Sequence, residues 1–117
     1  MFRALVVDDE SSILGLLRTV LELAAFHVET ATSAKLATTL LAQDSFEVVL
    51  TDIRMETPTA GFDVIRAARK LQSRPAIAIL TAHPDLINLP DKLKTLMKQR
   101  AQRETASEPV LRRSVNQ

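Results

Sequence analysis

Four short apolar runs are spaced along the first 80 residues, and helical patterns of apolar residues separate them. Three of the runs contain at least three consecutive apolar residues (ALVV, VVL and AIAIL), which is typical of strands buried on both faces of a parallel sheet, and the run over 28–32 alternates. Because strand and helix alternate along the chain, the pattern predicts an α/β fold with helices on both faces of the sheet. The predicted strands are residues 3–7, 28–32, 46–50 and 76–80.

Apolar residues that recur at intervals of three and four predict the helices. The first helix is expected to end near His27, Ser33 is placed to cap the second, and the third follows a loop over residues 54–61. Pro84 and Pro90 then interrupt the pattern, so we predict one more helix and no fifth strand. The apolar stripes are Ile13, Leu16, Leu17, Val20, Leu21 and Ala24, then Leu36, Ala37, Leu40 and Leu41, then Val64, Ile65, Ala68 and Leu71, and finally Leu93, Leu96 and Met97.

Composition limits the classes of function. The 117 residues suffice for one domain and are too few for two. The chain has no cysteine, which excludes disulfides and thiolate metal sites, and its two histidines, His27 and His83, are interpreted as polar loop residues. Aromatic residues make up only 3% of the chain, which disfavours base stacking on nucleic acid. No basic leader or apolar stretch of membrane-spanning length is visible, so we expect a cytoplasmic protein.

Charge is distributed unevenly along the chain. Residues 1–90 carry 8 basic and 11 acidic side chains, whereas residues 91–117 carry 7 basic and 3 acidic ones. The basic end could bind a polyanion or could be a solvated, flexible end, and the second interpretation is favoured. Because no helix-turn-helix pattern accompanies it, nucleic acid is not an expected partner. We therefore predict a domain over residues 1–99 and a basic, flexible tail over residues 100–117.

Polar side chains follow three of the predicted strands. Asp8 and Asp9 come directly after the first strand, Asp52 after the third and Thr81 after the fourth. The carboxyl ends of parallel strands meet at one edge of the sheet, where α/β proteins bind ligands, so these side chains are expected to converge. Carboxylates at close range repel one another, and a hard divalent ion such as Mg²⁺ (or Mn²⁺) is their natural partner.

Three motifs in the sequence resemble the receiver domains of bacterial two-component signalling. They are ALVVDDE at the first strand, VVLTDIRM at the third and AILTAH at the fourth, and the resemblance extends from residue 2 to about residue 86. Each motif covers the end of one predicted strand and the polar residues that follow it, in the same order along the chain as in the family. The resemblance implies a flavodoxin-like, doubly wound parallel sheet and a role in phosphorelay signal transduction, as a stand-alone response regulator.

The resemblance also assigns a role to each candidate residue. Asp52 would accept a phosphoryl group from a histidine kinase or a phosphotransfer protein. Asp8, Asp9 and Asp52 would hold Mg²⁺, together with the backbone carbonyl of Arg54. Thr81 would donate its hydroxyl to the phosphoryl group and move inward as the family's switch. Such a chain is a phosphoaccepting signalling domain and not an enzyme, apart from slow self-phosphorylation from small donors and slow self-dephosphorylation.

The sequence departs from the family after residue 83, where a fourth helix and a fifth strand ending in Lys-Pro are expected. Residues 87–99, INLPDKLKTLMKQ, resemble the segment after that Lys-Pro, so we expect the helix, the strand and the lysine to be deleted, leaving four strands. In an alternative alignment residues 86–103 are the fourth helix and Glu108-Pro109 is a degraded Lys-Pro, but Pro90 disfavours it. The loop RMETPTAG also has a displaced proline, and Gly61 comes one residue late.

The missing lysine normally pairs with the phosphoryl group, so two functions remain open. The chain could be a working phosphoreceiver in which Lys92, Lys94 or a lysine of a second subunit takes its place. It could instead be a degenerate receiver that acts as a phosphorylation-independent dimerisation or protein-interaction module. A phosphatase of the haloacid-dehalogenase type is disfavoured, because the second acid of such enzymes would fall at Arg54. Loss of the fifth strand would expose residues 76–80 as an apolar edge, which predicts a homodimer or a higher assembly formed there, with or without exchange of the C-terminal helix.

Overall fold

The computed structural model describes residues 1–80 and 82–110, with side chains through residue 101. Strands and helices alternate along the chain in the predicted order, and the strand ends differ from the predicted ones by no more than two residues. The strands are β1 (Phe2–Val7), β2 (Phe26–Ala31), β3 (Val48–Thr51) and β4 (Ala76–Ile79). The helices are α1 (Ser11–Leu23), α2 (Ala34–Gln43), α3 (Ala60–Arg69) and α4 (Leu89–Val110).

The four strands form one parallel sheet in the order β2-β1-β3-β4. Helices α1 and α4 cover one face of the sheet, called the α1 face below, and α2 and α3 cover the other, the α2–α3 face. Side chains of β1 alternate between the two, with Ala4 and Val6 on the α1 face and Leu5 and Val7 on the α2–α3 face. The predicted doubly wound α/β fold is therefore confirmed.

The end of α1 differs from the prediction. The helix ends at Leu23 and β2 already begins at Phe26, whereas the sequence pattern placed the end of the helix near His27. Ala25 makes the turn with a φ of 68°, a left-handed conformation that glycine ordinarily supplies at this position. His27 therefore lies in a strand, and its predicted place in a loop is wrong, whereas His83 does lie in a loop.

Helix α4 packs on the α1 face through Leu89 and Leu93. A right-handed crossover from β4 to a strand beyond it would place its helix on the α2–α3 face, where α3 already lies in the crossover from β3 to β4. Helix α4 is thus not placed as a crossover helix, which favours the alignment in which residues 87–99 follow a deleted strand. No strand follows β4 within residues 82–110, and the deletion itself stays a prediction.

Two further predictions concern the ends of the sheet and of the chain. As predicted, β4 is an edge strand, and the side chain of its last residue, Ile79, is 55% exposed. Helix α4 continues to Val110, so the predicted domain boundary at residue 99 does not coincide with the end of an element; residues 111–117 lie outside the described part. Among the helices of the described residues, none has the length and apolar character needed to cross a membrane.

Candidate functional site

The carboxylates of Asp8, Asp9 and Asp52 form one group, called the acidic cluster below, at the carboxyl ends of β1 and β3. Val7 pairs with Thr51 in the parallel ladder, so Asp8 and Asp52 are the next residues of two neighbouring strands. The Asp52 N–H donates to the Val7 carbonyl at 3.0 Å and continues the ladder into the site. One oxygen of each carboxylate lies within 4.8 Å of those of the other two. The predicted convergence of the three acids is confirmed.

Backbone N–H groups hold two of these carboxylates in place. Asp8, which is 4% exposed, accepts a hydrogen bond at Oδ1 from the Glu10 N–H at 2.9 Å. Asp52 is half-buried, and its Oδ1 accepts from the Ile53 N–H at 2.7 Å and from the Arg54 N–H at 3.3 Å. The second Asp52 oxygen accepts no hydrogen bond from the described residues, which leaves it available to a ligand.

Two predicted site residues are not placed as ligands. Thr81 lies outside the described residues, so its predicted contact with a phosphoryl group stays a prediction. Arg54 has an exposed side chain, and its backbone N–H donates a hydrogen bond to Asp52 Oδ1. The proposed use of its carbonyl as a metal ligand also stays a prediction.

The two lysines that could replace the missing one are engaged elsewhere. Lys92 Nζ lies 3.9 Å from Asp85 Oδ2. Lys94 Nζ lies 5.9 Å from the ring centroid of Phe26, the first residue of β2, at the opposite end of the sheet from the acidic cluster. None of the four ion pairs among the described residues includes a member of the cluster. Its negative charge therefore has no basic partner within the part of the chain that the structure describes.

The electrostatics of the cluster fit a divalent cation. Burial raises the pKa of Asp8 above its ordinary value, and the nearby charges of Asp52 and Asp9 raise it further, against the opposing hydrogen bond from the Glu10 N–H. A cation with a preference for carboxylate oxygen would relieve this repulsion. Mg²⁺ and Mn²⁺ have that preference and retain waters at the open positions, so the donor set of the cluster fits them.

Asp8 should make stability depend on pH when no divalent ion is present. Above the ordinary pKa of 3.8 the folded chain retains a proton on Asp8 that the unfolded chain has lost, so the free energy of unfolding falls as pH rises through this window. Asp8→Asn keeps the oxygen that accepts the Glu10 N–H and removes the charge. We expect the variant to lack this part of the slope and to be the more stable protein at neutral pH without metal.

Urea unfolding over a pH series, with and without Mg²⁺, measures this effect. Mg²⁺ should raise the stability of the wild type and leave Asp8→Asn nearly unchanged, because the variant has lost a charged ligand. Equal pH slopes and equal responses to Mg²⁺ in the two proteins would show that Asp8 carries no unfavourable charge in the fold.

Helix α3 begins directly behind Asp52, at a point where only glycine fits. The Gly61 N–H donates to the Ile53 carbonyl at 2.8 Å. A Cβ on Gly61 would lie 2.1 Å from the Asp52 carbonyl oxygen and 2.5 Å from Ile53 Cα, and these backbone atoms cannot rotate away. Gly61 therefore holds the loop that carries Asp52 close to α3. The sequence showed this residue only as a departure in loop length, so its role was missed.

Glu56 connects the same loop to the start of α2. The helix is capped by Ser33 as predicted, with Ser33 Oγ accepting from the Leu36 N–H at 3.1 Å. The two Glu56 carboxylate oxygens accept from the Ala34 N–H at 2.9 and 3.2 Å. Hydrogen bonds from the N–H groups of Glu56 itself, of Ala34 and of Lys35 hold the pKa of Glu56 below its usual range. Sequence reasoning missed this contact because the partners are far apart in the chain.

Replacing Glu56 by glutamine should destabilise the fold modestly. The folded pKa is lowered, so the carboxylate contributes stability above its unfolded pKa and loses it as pH falls through the folded value. Because the position is exposed, we expect a loss of about 0.5 to 1 kcal/mol at neutral pH, in the lower range for helix-capping contacts. Urea unfolding measures it, and a loss that is unchanged at pH 3 would contradict the charge-based explanation.

Comparison with known proteins gives the family of the chain. The profile of the "Response regulator receiver domain" family matches residues 4–102. The chain is 40% identical over 81 residues to the alginate biosynthesis transcriptional regulatory protein AlgB of Pseudomonas putida, and 32% identical over 84 residues to the response regulator protein PilR of Pseudomonas aeruginosa. These matches cover 69% and 72% of this chain but only 18% and 19% of the relatives.

Solved receiver domains have the same fold. A response regulator receiver domain protein of Clostridium thermocellum superposes with a TM-score of 0.76 at 22% identity, covering 87% of this chain and 98% of that one. The Thermotoga maritima response regulator TrrA, solved in complex with Mg²⁺-BeF, gives a TM-score of 0.71 at 24% identity, with coverage of 82% and 99%. With the profile match, the chain belongs to the response-regulator receiver-domain family.

Proposed function

We propose that this chain accepts a phosphoryl group on Asp52 from a phosphohistidine of a histidine kinase or a phosphotransfer protein. The observation that carries the proposal is the acidic cluster, which joins the ends of two neighbouring strands. Within it, Asp52 Oδ1 is held by two backbone N–H groups, and the other Asp52 oxygen has no hydrogen-bond donor among the described residues. Asp8, Asp9, Asp52 and the Arg54 carbonyl would hold Mg²⁺. In this role the chain is a signalling domain whose own chemistry is limited to slow gain and loss of the phosphoryl group.

The residues divide the chemistry between them. The Asp52 oxygen forms a bond to phosphorus while the phosphorus–nitrogen bond of the phosphohistidine breaks, and the imidazole leaves with the electron pair of that bond. The product is an acyl phosphate, which water later hydrolyses. A bound Mg²⁺ supplies charge neutralisation on the phosphoryl oxygens, where most of the catalysis of phosphoryl transfer lies. The Ile53 and Arg54 N–H groups hold the Asp52 carboxylate in one orientation during the attack.

A second function is favoured by one specific observation. No basic side chain pairs with the acidic cluster among the described residues, and Lys92 and Lys94 are engaged elsewhere. Without a lysine at the phosphoryl group, a charged contact of about 1.5 to 3 kcal/mol is missing from the phosphorylated state. The chain would then be a degenerate receiver that keeps the acidic cluster and acts through a constitutive protein interface.

Beryllofluoride, which mimics a phosphoryl group on a carboxylate, distinguishes the two functions. Fluorine NMR of the wild type with beryllofluoride and Mg²⁺ should show a bound signal that disappears when EDTA removes the metal. The same signal should be retained in Asp44→Asn, which removes an exposed acid at the end of α2. Absence of a bound signal in a folded wild-type protein that binds Mg²⁺ would favour the degenerate receiver.

A further inference from the structure

The outer side of β4 has unpaired backbone groups. Ala76 and Leu80 donate their N–H groups to the Glu47 and Thr51 carbonyls of the β3 side, each at 2.9 Å. Residues of a strand alternate in the direction of their backbone groups, so Ile77 and Ile79 direct their N–H and C=O groups away from β3. The sheet ends at β4, and no strand among the described residues pairs with these groups.

Although β4 is short, with four residues, it lacks the other features by which proteins prevent edge-to-edge pairing. Charged side chains, prolines and bulges usually interrupt an exposed edge. The strand reads AIAI, with no charge and no proline inside it, and Ile79 is 55% exposed. Ile77 is half-buried on the α2–α3 face. The outward backbone groups of the edge and the exposed part of Ile79 therefore lack a partner in the described part of a single chain.

We propose that a second copy of this chain pairs with β4 in antiparallel orientation, about a two-fold axis that passes between the two Ala78 residues. A two-fold axis normal to the sheet makes the paired strands antiparallel and places equivalent faces side by side. In this register Ile77 lies opposite the partner's Ile79, and Ile79 opposite the partner's Ile77. These are the residues with outward backbone groups, so each pair exchanges both of its N–H···O bonds.

Two alternative arrangements are less favourable. Moving the axis to Ile77 would place Ile79 opposite the partner's Pro75, which has no N–H to donate. A shift of the register by one residue would place side chains of the α1 face of one chain opposite side chains of the α2–α3 face of the other. The axis at Ala78 avoids both problems and uses every outward group of the described strand.

Side chains and charges agree with this pairing. Four isoleucines, two from each chain, would meet on the α2–α3 face, where Ile79 is now exposed to solvent. Arg74 precedes β4 and Asp85, which also pairs with Lys92 of its own chain, follows it. Antiparallel pairing brings Arg74 of each chain to the end where the partner's Asp85 lies. The interface is small, and we expect a dissociation constant on the order of 10 to 1,000 μM. The two acidic clusters lie at opposite ends of the resulting eight-stranded sheet.

Single-cysteine crosslinking tests the register, because the wild type has no cysteine. The axis makes the two Ala78 residues a non-hydrogen-bonded pair with Cα atoms about 4.5 Å apart, within the span of a disulfide. Ala78→Cys should form a disulfide-linked dimer at least about tenfold faster than Ile87→Cys, whose site is 90% exposed and lies outside the strand. Equal rates in the two variants would overturn the register.

Sedimentation tests the interface itself. The wild type should shift from monomer to dimer as its concentration rises to about 1 mM. Ile79→Lys should stay monomeric, whereas the matched Ile87→Lys should dimerise like the wild type, because both replace an exposed isoleucine. Circular dichroism shows whether each variant is folded. A monomeric wild type, or a dimer that survives in folded Ile79→Lys, would overturn the proposal whatever the outcome of phosphorylation.

Discussion

Asp52→Asn is expected to abolish phosphoryl transfer to this chain while leaving it folded. Asparagine keeps the Oδ1 that accepts the Ile53 and Arg54 N–H groups, so the loop geometry is retained. It removes both the nucleophilic oxygen and one charge of the acidic cluster. We expect labelling by a small donor such as phosphoramidate to fall at least about a hundredfold, the usual scale for losing a nucleophile, and Mg²⁺ affinity to fall with it.

The matched control is Asp44→Asn, which removes an acid that lies 3.5 Å from Arg3 and away from the cluster. Its labelling should equal that of the wild type. Because Asp52→Asn also relieves repulsion on Asp8, the variant should be at least as stable as the wild type in the absence of metal. Undiminished labelling of Asp52→Asn would mean that another residue accepts the phosphoryl group.

Gly61→Ala is expected to cause the largest loss of stability of any single-methyl change near the site. Its Cβ would lie 2.1 Å from the Asp52 carbonyl oxygen, so the loop after β3 or the first turn of α3 must move. We expect a loss of about 3 kcal/mol in the free energy of unfolding, at the upper end for overpacked positions, because the contacted atoms belong to the backbone. Because the displaced loop carries Asp52, affinity for Mg²⁺ should decrease as well.

The other glycine of the chain provides the control. Gly15 lies in α1, and a Cβ built there meets nothing within 4 Å. Gly15→Ala should therefore raise stability by about 0.5 to 1 kcal/mol, since alanine is the better helix former. Urea unfolding of both variants gives the comparison. Equal effects at the two positions would show that the contact behind Asp52 is looser than described.

The sequence was sufficient to predict the fold and the acidic cluster because both follow from simple periodicity. Apolar runs mark the buried strands, and the residue after each run lies at the carboxyl edge of the sheet. Since Val7 and Thr51 are paired, the next residues, Asp8 and Asp52, had to be neighbours. The prediction of one helix after residue 83 was also correct for the residues that the structure describes. Pro90 lies in the first turn of this helix, α4, where its missing N–H costs little.

The missed features depend on tertiary contacts or on unusual backbone conformations. Alanine gives no stop signal for α1, so the left-handed Ala25 was missed and the helix was predicted to be too long. The predicted stripe included Leu16, which is 47% exposed, and omitted Leu14, which is buried. In a helix rich in leucine, the pattern does not distinguish adjacent faces until the sheet is in place. The contact of Glu56 with Ala34 joins segments that are distant in the chain.

Locating the phosphoryl group tests the central claim most directly. The wild type is incubated with phosphoramidate in Mg²⁺ or in EDTA, the acyl phosphate is reduced with borohydride, and the modified aspartate is located by mass spectrometry of the peptides. We predict one modified residue, Asp52, and modification only when Mg²⁺ is present. Modification at another residue, or none at all in a folded protein saturated with Mg²⁺, would contradict the assignment of Asp52 as the phosphoryl acceptor.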